Sequence, residues 1–158
     1  MGWVLRVLLL GGGLFAGVVL ATEVGVLALG PWVQAPPPGA KVLAGYLLLR
    51  NEGDRPQSLV AVSSPDFERV EIHRTILRGE VAHMEAAPEL ALPPRASVEL
   101  KPGGWHLMLI GPKKNWKSGE RIALRLQLKT GDTLQIEAPV RAAPKASHDP
   151  AGQAHHAH

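Results

Sequence analysis

Residues 70–109, VEIHRTILRGEVAHMEAAPELALPPRASVELKPGGWHLML, hold three of the seven histidines of this 158-residue chain and, apart from the initiating Met1, all of its methionines. His73, Met84, His106 and Met108 are the metal-ligating candidates among them. Thioether sulfur is soft and weakly basic. It discriminates against zinc, calcium and magnesium and in favour of Cu(I), with imidazoles completing a three- or four-coordinate site. The chain has no cysteine. A thiolate nucleophile, a cysteine-type zinc site, a disulfide framework and a blue-copper electron-transfer centre are therefore excluded for this chain alone.

Strand parity decides whether the four side chains can meet. RVEIHRTIL and EVAHMEA flank Arg78-Gly79, which reads as the two-residue loop of a primed hairpin turn. A turn centred there makes His73 and Met84 a directly opposed cross-strand pair, with Cβ atoms roughly 5 Å apart. In WHLML, His106 and Met108 share one strand face and Trp105, Leu107 and Leu109 the other. The leucines suit a core, which assigns His106 and Met108 to the outward face beside Gly103-Gly104. Alone, each residue has a plainer reading, a solvated strand histidine or a methionine filling a core gap; their combination reverses it. His83 alternates away from Met84 and reads as a surface histidine. Trp105 and Trp116 read as core or rim packing rather than as a cover over the metal.

The rest of the chain supplies the frame. KVLAGYLLLRN, QSLVAVSS, ASVELKPGG, RIALRLQLK and TLQIEAPV are β-prone runs separated by turn clusters, and no helical period persists for three turns. The expected fold is all-β, an antiparallel Greek-key β-sandwich of about seven strands, cupredoxin-like or immunoglobulin-like. It should occupy residues 31–140. Residues 1–30, with Arg6, the apolar run Val7 to Ala21 and then Glu23, read as a signal peptide or an uncleaved membrane anchor. Val19-Leu20-Ala21 and Val26-Leu27-Ala28 are the candidate cleavage sites. Either reading places the domain outside the cytoplasm, in the periplasm or on the outer face of the bacterial inner membrane. Residues 141–158 read as a flexible His-rich tail, in which His148, His155, His156 and His158 are candidates for auxiliary capture of Cu(II). The net charge of +3 is scattered and only seven residues are aromatic, so nothing resembles a nucleic-acid footprint.

The spacing His73-x10-Met84-x21-His106-x-Met108, with APPPGAKVLAGYLLLRNEGD, VEIH, ELKPGGWHLMLIG and GDTLQIEAPV around it, resembles the PCuAC family of bacterial periplasmic copper chaperones. The likeness covers roughly residues 32–140. It implies a cupredoxin-like domain binding one Cu(I) at a surface-exposed site. It also implies delivery to the binuclear CuA centre of cytochrome c oxidase subunit II, directly or alongside a Sco-type protein. Such a protein passes its metal on by ligand exchange and is not an enzyme. The alternative is a copper-storage or copper-resistance binder with no dedicated acceptor. Lys113, Lys114 and Lys117 either steer an acidic partner or form a solvated loop.

Overall fold

Alternation of apolar and polar residues is most regular in RIALRLQL. The computed structural model, which describes residues 25–142, makes it a strand in which Ile122, Leu124, Leu126 and Leu128 are buried and the residues between them are exposed. Ten strands follow one another in the chain: β1 (Val26–Gln34), β2 (Val42–Asn51), β3 (Gln57–Ser63), β4 (Phe67–Arg78), β5 (Val81–Ala86), β6 (Leu90–Leu92), β7 (Ser97–Leu100), β8 (Trp105–Pro112), β9 (Arg121–Leu128) and β10 (Thr133–Arg141). They form one sheet in the order β5-β4-β8-β7-β2-β1-β10-β9-β3-β6. A further β3–β4 pairing, at Val62 and Val70, closes the sheet on itself. Inside lies an aliphatic core that includes Leu43, Leu47, Leu49, Ile72, Leu107 and Leu109.

The all-β expectation holds, with two differences in detail. β1 runs parallel to β10, and β7 parallel to β8, so the sheet is mixed rather than wholly antiparallel. The sequence pattern also misses β1 and β6. β6 is three residues long, too short to show alternation. β1 begins at Val26, which is fully buried and pairs with Asn51. A domain boundary at residue 30 therefore falls inside a strand, and cleavage after Ala28 would remove its first three residues. An apolar run serves a signal segment or a buried strand equally well, so composition does not separate them. The rest of the expected signal or anchor segment, and the tail beyond residue 142, lie outside the described residues.

Asn51 is one of two buried polar residues among those described, the other being His106. Its Nδ2 donates to the carbonyls of Arg55 (2.8 Å) and Leu92 (3.0 Å), and its Oδ1 accepts from the Gly53 amide at 3.0 Å. One side chain thus ties the turn after β2 to β6. Asn51→Asp keeps the shape but replaces the donor with a second acceptor facing two carbonyls. We expect it to cost about 2–4 kcal/mol, since a buried unsatisfied polar group costs about 1–3 kcal/mol and more when charged; urea unfolding would measure this.

Candidate metal centre

One outer face of the sheet collects the candidate ligands. Glu71, His73 and Thr75 alternate along β4 on that face. On one side lies β8, whose His106 is directly opposite His73 and whose Met108 is opposite Glu71. On the other side lies the edge strand β5, where Ala86 is opposite His73 and Met84 opposite Thr75. The two thioethers therefore bracket the His73–His106 row from opposite ends along β4.

This corrects the expected His73–Met84 pair. The hairpin loop is Gly79-Glu80 rather than Arg78-Gly79, because Arg78 itself pairs with Val81. Gly79 has φ 65°, and the positive angle at the first loop position is the one that glycine supplies in a type II′ turn. A turn on Arg78-Gly79 would instead ask Arg78 to adopt the left-handed region, at a cost of roughly 1–2 kcal/mol. Moving the turn centre by one residue moves each partner by two, so Met84 stays on the His73 face as a diagonal neighbour.

The imidazole rings of His73 and His106 have centroids 5.9 Å apart and planes tilted by 44°. Two imidazoles sharing one ion at metal–nitrogen distances of about 2.0–2.1 Å have centroids roughly 5–6 Å apart, so the pair can hold a single ion. His106 is held by the turn before it. Pro102 and Gly103 (φ 78°) lie between Lys101 and Gly104, with the Gly104 amide on the Lys101 carbonyl at 3.0 Å, the pattern of a type II turn. The Gly104 carbonyl accepts from the Thr75 amide at 3.1 Å and takes Nδ1–H of His106 at 3.0 Å. His73 Nε2 lies 2.9 Å from Glu71 Oε2. The Glu71 carboxyl is held below the usual carboxylate range, first by this hydrogen bond and then by Arg69. His73 Nδ1 is buried and has no partner. A buried polar atom left open costs about 1–3 kcal/mol, which a bound ion would relieve.

The centre is recessed rather than spread on the surface. His106 is 6% exposed and the His73 side chain 12%, whereas Met84 is 67% exposed. Beyond β8, the register pairing Ala44 with Met108 and Gly45 with Leu107 brings Tyr46 into the row beside His106. Tyr46 is buried against Trp32, with ring centroids 4.6 Å apart, and desolvation pushes its hydroxyl pKa up. The face is thus walled on the β2 side and open on the β5 side. Glu71 and the Trp32–Tyr46 pair are the members that sequence reasoning missed. Glu71 had a signal, since in VEIH it lies two residues before His73 on the same strand face.

His83 lies on the opposite face of β5 from Met84, as alternation requires, and is exposed. Trp105 packs beside the core with the Arg74 guanidinium 5.3 Å from its ring, and Trp116 stacks on Phe67. Lys113 donates to the Pro65 carbonyl, and Lys114 pairs with Glu120. His148, His155, His156 and His158 lie outside the described residues.

The strand order and the opposed imidazoles define a closed β domain with the candidate ligands on one outer face. Residues 26–140 match the LpqE-like family model, described as "Putative lipoprotein LpqE-like". The chain belongs to this family, of the PCuAC type. It is 28% identical over 118 residues to the "Putative lipoprotein Lxx21020" of Leifsonia xyli subsp. xyli (strain CTCB07), covering 74% of this chain and 70% of that one. Among solved structures, it resembles the copper-bound PCuAC domain from PmoF2 with TM-score 0.66 and 28% identity, over 75% of this chain and 94% of that one. The Cu(I) form of DR1885 from Deinococcus radiodurans is similar with TM-score 0.63 and 33% identity, over 77% of this chain and 81% of that one.

Proposed function

We propose that this protein is an extracytoplasmic copper carrier that binds one Cu(I) through His73, Met84, His106 and Met108. It delivers the ion by ligand exchange to the CuA centre of cytochrome c oxidase subunit II, directly or with a Sco-type protein. The observation that carries this reading is the opposed His73–His106 pair with its open Nδ1, bracketed by the two internal methionines. Among the described residues, no three His, Cys, Asp or Glu side chains are grouped to hold a metal, so completing an ion at the imidazole pair falls to the thioethers. That donor set favours Cu(I) over zinc or calcium. The copper-bound PmoF2 domain and Cu(I)-DR1885 support the same reading.

The gradient of exposure suggests the order of exchange. An incoming ligand from an acceptor reaches the centre from the β5 side and displaces Met84, the most exposed and a weakly basic donor. The recessed imidazoles retain the ion until the acceptor's stronger ligands replace them. This is carriage rather than catalysis. The lipoprotein relatives support a location outside the cytoplasm. Export or anchoring is assigned to the apolar segment before Val26.

The test is anaerobic loading followed by mixing with an apo CuA domain or a reduced Sco-type protein. We expect binding of about one equivalent of Cu(I), consistent with one His2Met2 site, and its transfer to the acceptor. Tight binding without transfer to either acceptor would point to storage, and failure to bind would end the copper reading.

A further inference from the structure

We infer that Glu71 is a positioning residue of the metal centre: by accepting the Nε2–H of His73, it commits Nδ1 of that ring as the copper-ligating atom. This rests on the copper reading above and adds a partner behind the ligand that the His/Met spacing does not contain.

Glu71 and His73 share a face of β4, two residues apart, and the Oε2–Nε2 distance is 2.9 Å. The other carboxylate oxygen, Oε1, accepts from Arg69 Nε at 2.8 Å, so the carboxylate is held at both oxygens. An ionised carboxylate only accepts hydrogen bonds, which requires the proton of neutral His73 to reside on Nε2. The lone pair then falls on Nδ1, the atom that is buried and without a partner. His106 is fixed in the opposite sense, because its Nδ1–H meets the Gly104 carbonyl, which puts the lone pair of the neutral ring on Nε2. The two rings thus offer unlike nitrogens to one ion. Ligation through Nδ1, the nitrogen nearer the backbone, keeps the ion close to the sheet, where His106 is recessed. A carboxylate behind a ligating imidazole also raises the basicity of the ring, and removing such a partner typically costs 10–100-fold in metal affinity.

The tautomers can be read without metal. In the copper-free protein labelled with ¹⁵N-histidine, long-range proton–nitrogen correlations are expected to show the Nε2–H form at His73 and the Nδ1–H form at His106. Glu71→Ala should lose the fixed tautomer at His73 alone and weaken Cu(I) binding by about 10–100-fold in anaerobic chelator competition, with His106 and the melting temperature unchanged. Glu71→Gln, whose side-chain carbonyl can still accept, should retain the His73 tautomer and most of the affinity. An Nδ1–H form at His73 in the unsubstituted protein, or unchanged Cu(I) affinity in Glu71→Ala, would overturn the inference. If the unsubstituted protein does not bind Cu(I), the copper reading and the ligand role fail together, while the tautomer pattern still tests the Glu71 hydrogen bond separately.

Discussion

Replacing Met84 and Met108 together by alanine is expected to lower Cu(I) affinity by at least about a hundredfold, equivalent to roughly 2.7 kcal/mol. The two imidazoles remain, and they are borderline donors that serve zinc and Cu(II) as readily as Cu(I). The larger change is therefore in selectivity, with the preference for Cu(I) over zinc collapsing. The fold should survive. Met84 is on the exposed edge strand β5 and Met108 is only half-buried, on the face away from the aliphatic core. We expect the combined loss of stability to remain under about 2 kcal/mol. Anaerobic titration against a Cu(I) chelator, with a parallel zinc titration and a thermal melt, reads all three quantities. A double variant that binds Cu(I) as tightly as the unsubstituted protein would remove the thioethers from the site.

Leu107→Ala, one position from each of His106 and Met108, should have the opposite profile. Leu107 is fully buried, between Ile72 on β4 and Gly45 on β2 in the register of the sheet. Truncating it leaves a cavity where neighbouring strands are fixed by their ladders and cannot collapse inward. The expected cost is about 2–5 kcal/mol. That is a large part of the roughly 5–15 kcal/mol by which domains are stable. The melting temperature should fall by roughly 8–20 °C. Thermal unfolding and Cu(I) titration of Leu107→Ala beside Met108→Ala make the contrast direct: the first should lose stability and the second metal affinity. Equal melting temperatures for the two variants would contradict the division of faces on β8.

That division was legible in WHLML alone. Side-chain direction along a strand has a period of two and depends on nothing beyond the strand, so parity placed Leu107 and Leu109 inward and His106 and Met108 together on the other face. The same argument separated Met84 from His83 and ordered RIALRLQL. Ligand chemistry was equally local: two imidazoles, two thioethers and no cysteine are properties of composition.

Register and neighbour choice were not legible, because they depend on which strands pack together and where turns settle. The sequence suggested His73 opposite Met84, but the φ 65° glycine at the start of the hairpin loop places Met84 opposite Thr75 instead. His73 faces His106 because β4 lies beside β8, a pairing that no local pattern encodes. The Trp32–Tyr46 pair is likewise a product of β1 lying beside β2 in the sheet. β1 itself was obscured because an apolar segment has the same composition whether it is exported, anchored or buried in a sheet. The sequence alone determined which residue types could bind a soft metal and which strand faces carry them. Only the tertiary structure decided that the imidazoles oppose each other, that the thioethers bracket them and that Glu71 stands behind His73, because hydrogen-bonded register is a property of pairs of strands.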